Sequence, residues 1–110
     1  MSAAATSLPE GLECYKRTDT FTQDTVPKGL LNDHSTKPGV WGLIKVESGS
    51  LSYRVTDPRR EPFETVLTPE MEPGIVEPTI LHHIAPLGSA CFHVEFYRAH
   101  RQDTIGGNEG

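Results

Sequence analysis

Two polar segments hold the side chains best suited to chemistry: His34-Ser35-Thr36-Lys37-Pro38-Gly39-Val40-Trp41-Gly42 and Glu77-Pro78-Thr79-Ile80-Leu81-His82-His83. Imidazoles from distant parts of a chain, meeting beside a carboxylate, make a site for a divalent metal. His34 and His82 are the expected pair, and Glu77 is a carboxylate able to complete the shell. Zinc is the first expectation for the ion, with iron and nickel also open, because imidazole accepts all three. His82 and His83 are adjacent, so on a strand they point to opposite faces. His82 shares parity with Ile80 and Ile84, so it is expected inward, where both ring nitrogens need partners. The plainer alternative for each histidine is a loop or core ring bonded to backbone.

A third candidate set lies in Cys91-Phe92-His93-Val94-Glu95-Phe96-Tyr97. Phe92, Val94 and Phe96 form one face of a strand, and Cys91, His93, Glu95 and Tyr97 the other. His93 and Glu95, side by side, suit metal binding or acid–base work if they face a cavity. If the apolar face is inside, they belong to a wet outer or dimer-facing surface. Trp41 and Tyr53 can floor a ligand cavity or simply pack the core. Arg54, with Arg59 and Arg60, can clamp an anion or stand solvated. There is no phosphate-loop pattern and no nucleophile elbow.

Short β-type runs must position these residues. Val40–Val46 and Leu51–Thr56 flank Glu47-Ser48-Gly49-Ser50, a pattern that predicts a hairpin. Asp57-Pro58 stops the second run, and Glu64–Leu67 makes another. Pro86-Leu87-Gly88 predicts a further turn before a last strand over Ala90–Arg98. Nine prolines and ten glycines, spread through the chain, leave room for only a turn or two of helix near Asp24–Leu31. The prediction is an all-β single domain over 8–99, closed as a jelly-roll barrel, with flexible tails at 1–7 and 100–110.

Bulk properties narrow the function. A chain of 110 residues suits one core. A net charge of -5 argues against nucleic acid and anionic lipid as partners. No apolar run reaches the roughly 20 residues of a membrane span, and the opening Met1–Ser7 lacks the features of an export signal. A cytoplasmic protein is expected, with a small molecule or oxyanion as ligand and a homodimer formed through leftover strand edges. Cys14 and Cys91 form no CxxC pair and are expected as reduced thiols in or near the core.

Several of these segments together resemble the TehB/YeaR-like domain family: Tyr15-Lys16-Arg17-Thr18, Phe21-Thr22-Gln23-Asp24-Thr25-Val26-Pro27, the His34–Gly42 segment, Val76-Glu77-Pro78 leading to Leu81-His82, and Val94-Glu95-Phe96-Tyr97. The resemblance spans about residues 8 to 99, and the His34–Gly42 segment is its most specific part. It implies a cupin-like double-stranded β-helix. General cupins bind metal through a His-x-His and a Glu in one motif and a His in a second. Here the first motif keeps only His34, with Trp41-Gly42 where its Glu would fall, while Pro78 and His82 resemble the second motif, shifted by one residue.

The functions implied are a small metal- or ligand-binding module of stress or tellurite resistance, or a metal-dependent dioxygenase- or isomerase-like enzyme on a small polar substrate. A dimeric structural module whose histidines only hydrogen-bond is the third expectation. Some relatives carry a methyltransferase domain, which needs far more chain than this, so S-adenosylmethionine chemistry is not expected here.

Overall fold

The structure is a computed structural model that describes residues 7–99. The expected tails, Ser7 apart, lie outside the described residues. Two long antiparallel strands dominate. β3 (Trp41–Val55) runs against β6 (His82–Ala99), from Trp41 opposite Tyr97 to Val55 opposite His82. β1 (Leu12–Arg17) and β2 (Phe21–Thr22) pair with β6. β4 (Phe63–Leu67) and β5 (Gly74–Val76) pair with β3. One four-residue helix, α1 (Lys28–Leu31), falls inside the window where the sequence allows a helical turn.

The all-β class and the single domain agree with the strand pattern. The closed barrel does not. The sheet runs β1-β6-β3-β4 and is open, because the chain invests its β-type residues in one long ladder with short flanking strands.

The predicted hairpin is corrected for the same reason. Glu47–Ser50 and Pro86–Gly88 do not reverse the chain; they lie inside continuous strands and face each other. Ser48 stands opposite Cys91, Gly49 opposite Ala90 and Leu51 opposite Pro86, with register shifts between Val46 and Ser48 and between Gly49 and Leu51. Such bulges bend a strand and sharpen its twist. Gly49, at φ 76°, is required at this bend, since a Cβ there would run into the Ser89 carbonyl.

The bend brings apolar residues of both halves together. Ile44, Leu51, Tyr53 and Val55 of β3 pack with Ile84, Phe92 and Val94 of β6, joined by Leu67, Val76 and Ile80. Phe92 and Leu51 are fully buried, each worth about 1.5–3 kcal/mol relative to exposure. Tyr53 joins this core by donating its hydroxyl to the Ile75 carbonyl at 2.7 Å. Cys14 and Cys91 are both free, but Cys14 is exposed on β1, correcting its expected place in or near the core. No helix among the described residues is long and apolar enough to cross a membrane.

Candidate functional site

His34 and His82 meet. Their backbones form an isolated antiparallel bridge, with His34 N–H donating to His82 O and His82 N–H to His34 O, each at 2.9 Å. The rings lie 4.1 Å apart between centroids at 56°. His34 Nδ1 is 2.9 Å from Asn32 O, and His82 Nδ1 is 3.0 Å from Ile80 O. A carbonyl only accepts, so both Nδ1 atoms are donors, and in the neutral rings both Nε2 atoms are left as acceptors. His82 is 4% exposed. Burial pushes its pKa down to about 4, even though the Ile80 carbonyl favours the charged form; His34 and His83 add to the depression.

The pair sits in a cavity of about 300 Å³ whose apolar wall comes from Ile44, Val76, Ile84, Val94 and Phe96. Strand parity explains the wall: Ile84, Val94 and Phe96 share the inner face of β6 with His82. Lys16 and Lys37 stand among the lining residues and are exposed.

A polar corner holds His82 in place. Asp57 is buried, takes Arg59 Nε and Nη2 at 2.9 and 2.8 Å, and accepts the backbone N–H of Arg59 and of Leu81. The Arg59 side chain, then these backbone donors, hold its carboxyl well below the usual carboxylate range. The Leu81 carbonyl in turn accepts from the N–H groups of Thr56 and Asp57. Thr79, at φ 64°, occupies the left-handed region that β-branched residues avoid. Its N–H bonds Thr36 O, and its carbonyl takes Arg59 Nη2 at 2.6 Å.

The other residues singled out from the sequence lie elsewhere. Glu77 is gripped by Arg60, whose Nη2 is 2.7 Å and Nε 3.1 Å from its carboxylate. His93 and Glu95 are on the opposite face of β6: His93 Nδ1 meets Glu47 at 2.7 Å and its Nε2 meets Glu95 at 3.3 Å. His83 also faces away, with Nδ1 2.8 Å from Asp33. Tyr53 touches His82 edge-on at 5.8 Å but belongs to the core behind it. Trp41 is half-buried and, like Arg54, lies outside the cavity wall; Arg54 is exposed and paired with Glu64 at 2.8 Å. Sequence alone does not mark the lysines of the lining or the anchoring role of Asp57. Lys37 lies within the His34–Gly42 segment, which is a signal of its place near the site, and nothing local marks Lys16.

The expected metal centre is thereby corrected. Among the described residues no group of three or more His, Cys, Asp or Glu side chains is placed to hold an ion. Two imidazoles converge, and the carboxylates meant to join them are held by Arg60 or turned to the other face.

A sequence profile of the TehB-like domain matches residues 16–94. The chain belongs to the TehB-like domain family. It is 35% identical over 77 residues to a protein of Haemophilus influenzae named a probable S-adenosyl-L-methionine-dependent methyltransferase TehB, a match covering 69% of this chain and 27% of the relative. A counterpart from a second strain is 34% identical over the same length. The chain therefore spans about a quarter of the curated relatives it matches. The crystal structure of TehB from H. influenzae superposes with a TM-score of 0.75 at 29% identity, covering 82% of this chain and 32% of that one. A solved protein from Escherichia coli K12 superposes at 0.76 and 21% identity over 87% of this chain and 99% of that one, which shows a shared fold.

These TehB-like relatives correct the functional reading as well. A metal-binding stress module, a metal-dependent enzyme and a metal-free structural dimer are the functions expected from the sequence, whereas the relatives are named for S-adenosylmethionine-dependent methyl transfer. The cofactor in those names does not fit the described cavity. Its sulfonium is a cation and its ribose diol is commonly held by a carboxylate, yet the lining contains two lysines, two histidines and no Asp or Glu. The named ladders are all antiparallel, unlike the parallel sheet and glycine-rich turn that cradle such nucleotides.

Proposed function

We propose that this chain is the acceptor-binding module of S-adenosylmethionine-dependent methyl transfer. The His34–His82 cavity holds the small molecule to be methylated, and the methyl donor is bound by a methyltransferase domain outside the described fold. The observation that carries the reading is the cavity itself, a small apolar chamber floored by two imidazole acceptors. The names of the relatives support the reaction class, and the poor fit of the donor to this cavity supports a place on the acceptor side. Small-ligand sites are of this kind, mostly apolar with a few convergent polar groups.

The finer fold expected from the sequence, a double-stranded β-helix, accompanies this proposal as a statement about topology. The positive φ at Gly49 and Gly88 and the register shifts between β3 and β6 near them support it.

The test is transfer of label from methyl-tritiated S-adenosylmethionine to 3-mercaptopropionate, catalysed by the separately produced methyltransferase region of H. influenzae TehB, with and without this chain. Stimulation by the chain, lost in His34→Gln, is the expected result. Equal transfer with and without the chain overturns the proposal, as does transfer by the chain alone.

A further inference from the structure

The charge of the cavity is at odds with the charge of the chain. The protein carries a formal net charge of -5, with fifteen Asp and Glu against ten Lys and Arg. The cavity lining nonetheless holds Lys16 and Lys37 and no carboxylate. Acidic groups around the segments that carry His34 and His82 are already bound: Asp33 accepts His83 and Thr56 at 2.8 Å each, Asp57 is closed by Arg59, and Glu77 by Arg60. The rings of His34 and His82 also line it, with Nδ1 2.9 Å from Asn32 O and 3.0 Å from Ile80 O, which leaves Nε2 of each neutral ring as an acceptor.

We propose that this cavity selects a small anion that carries a hydrogen-bond donor away from its acid group. The acid group is drawn to Lys16 and Lys37, and its hydroxyl, thiol or amide N–H donates to Nε2 of His34 or His82. The apolar middle of the ligand lies against Ile44, Ile84 and Phe96. A cavity of about 300 Å³ has room for about ten non-hydrogen atoms, taking about 30 Å³ for each water-sized group. The inference rests on the acceptor-binding reading for its biological use, but the recognition chemistry stands on the cavity alone. It disfavours cationic ligands, which the two ammonium groups at the wall repel, an effect that added salt weakens.

The experiment is a titration followed by the ring proton resonances of His34 and His82, using 6-hydroxyhexanoate, hexanoate, 1,6-hexanediol and 6-amino-1-hexanol as probes. The expected affinity order is hydroxy acid, plain acid, diol, amino alcohol. Binding of the hydroxy acid weakens with added salt, and the double variant Lys16→Gln, Lys37→Gln weakens it roughly five-fold, the scale of two exposed charge contacts. Both lysines are exposed, so the variant is expected to keep the wild-type fold, checked by its unchanged melting temperature. A diol that binds as tightly as the hydroxy acid, tighter binding of the amino alcohol or of S-adenosylmethionine, or unchanged affinity in the double variant overturns the inference. Loss of anion selection while label transfer persists overturns the ligand class alone; anion selection without any effect on label transfer overturns the methyl-transfer reading alone.

Discussion

His82 and His93 occupy the same strand, both buried, yet one is an open site and the other a closed network. His82 looks inward; its Nδ1 is bound to a carbonyl and its Nε2 is left to the cavity. His93 looks to the other face, where Glu47 and Glu95 meet both ring nitrogens, and Thr20, Lys45 and Tyr97 satisfy those carboxylates in turn. Both ring nitrogens of His93 are taken up by carboxylates. The network thus has no free valence for a ligand, whereas the apolar cavity leaves one acceptor on each ring. Strand parity assigns the environment, and environment assigns the role.

The largest test of this contrast is acid. His82 has a folded pKa of about 4 against an ordinary 6.5, so its contribution is complete above pH 6.5 and is lost as pH falls through that window. The loss is on the order of 3 kcal/mol, from about 1.4 kcal/mol for each pKa unit. Denaturant midpoints at the two ends of the window measure it, and His82→Phe is expected to flatten the slope there. A wild type equally stable at both ends, or an unchanged slope in the variant, sinks the account of His82.

The outer network responds lower on the pH scale. Glu95 is held below its usual 4.5, against the opposing effect of its own burial, by the Tyr97 hydroxyl, by His93 and by Lys45; Glu47 is held down mainly by His93. Lowered carboxylate values mean stability that is present above 4.5 and lost as pH falls further. Tyr97→Phe removes the hydroxyl donor at 2.9 Å from Glu95 and is expected to cost about 1 kcal/mol. The cost should shrink once Glu95 is protonated. A cost that stays constant down to acid pH would break the link between Tyr97 and the carboxylate.

Strain separates the two regions too. Thr79, on the loop that delivers His82, sits at φ 64°, while the outer network contains no such residue. Thr79→Asn keeps the backbone bonds to Thr36 and Arg59 with a side chain that tolerates this conformation. It is expected to raise stability by about 1 kcal/mol. A thermal melt of the variant decides it, and a lower melting temperature would mean that the Thr79 side chain contributes contacts outweighing its strain.

Much of this contrast is legible in the amino-acid sequence. Ile80, His82 and Ile84 share one parity, so an inward His82 follows from alternation. The facing of His93 is not fixed by alternation, because both faces of Cys91–Tyr97 are chemically reasonable. The hairpin reading fails for a different reason. Glu47–Ser50 has genuine turn chemistry, but the segment opposite it, Pro86–Gly88, has the same chemistry, and two paired bends build a continuous folded ladder. Pairing partners are non-local and carry no local mark. The same applies to Arg60 and Glu77, seventeen positions apart in the chain and joined at 2.7 Å. It applies to Asp57 as well, which reads as a strand stop and serves as the anchor of Leu81.

The smallest expected effect is also the sharpest limit on the site. Arg54 reads in the sequence as a candidate anion clamp, but its side chain is half exposed and paired with an equally exposed Glu64 across the β3–β4 ladder. Exposed pairs of this kind contribute from nothing to about 1 kcal/mol, because water already solvates both charges and ordering two long side chains costs entropy. Arg54→Ala is therefore expected to move stability by a few tenths of a kcal/mol and to leave 6-hydroxyhexanoate affinity unchanged. Lys37→Gln, at a comparably exposed position that lines the cavity, should weaken the same ligand. If the two variants lose affinity equally, the loss comes from the unit of positive charge each removes from the whole protein and not from the cavity wall. If only the lysine matters, the anion is drawn to the chamber floored by His34 and His82.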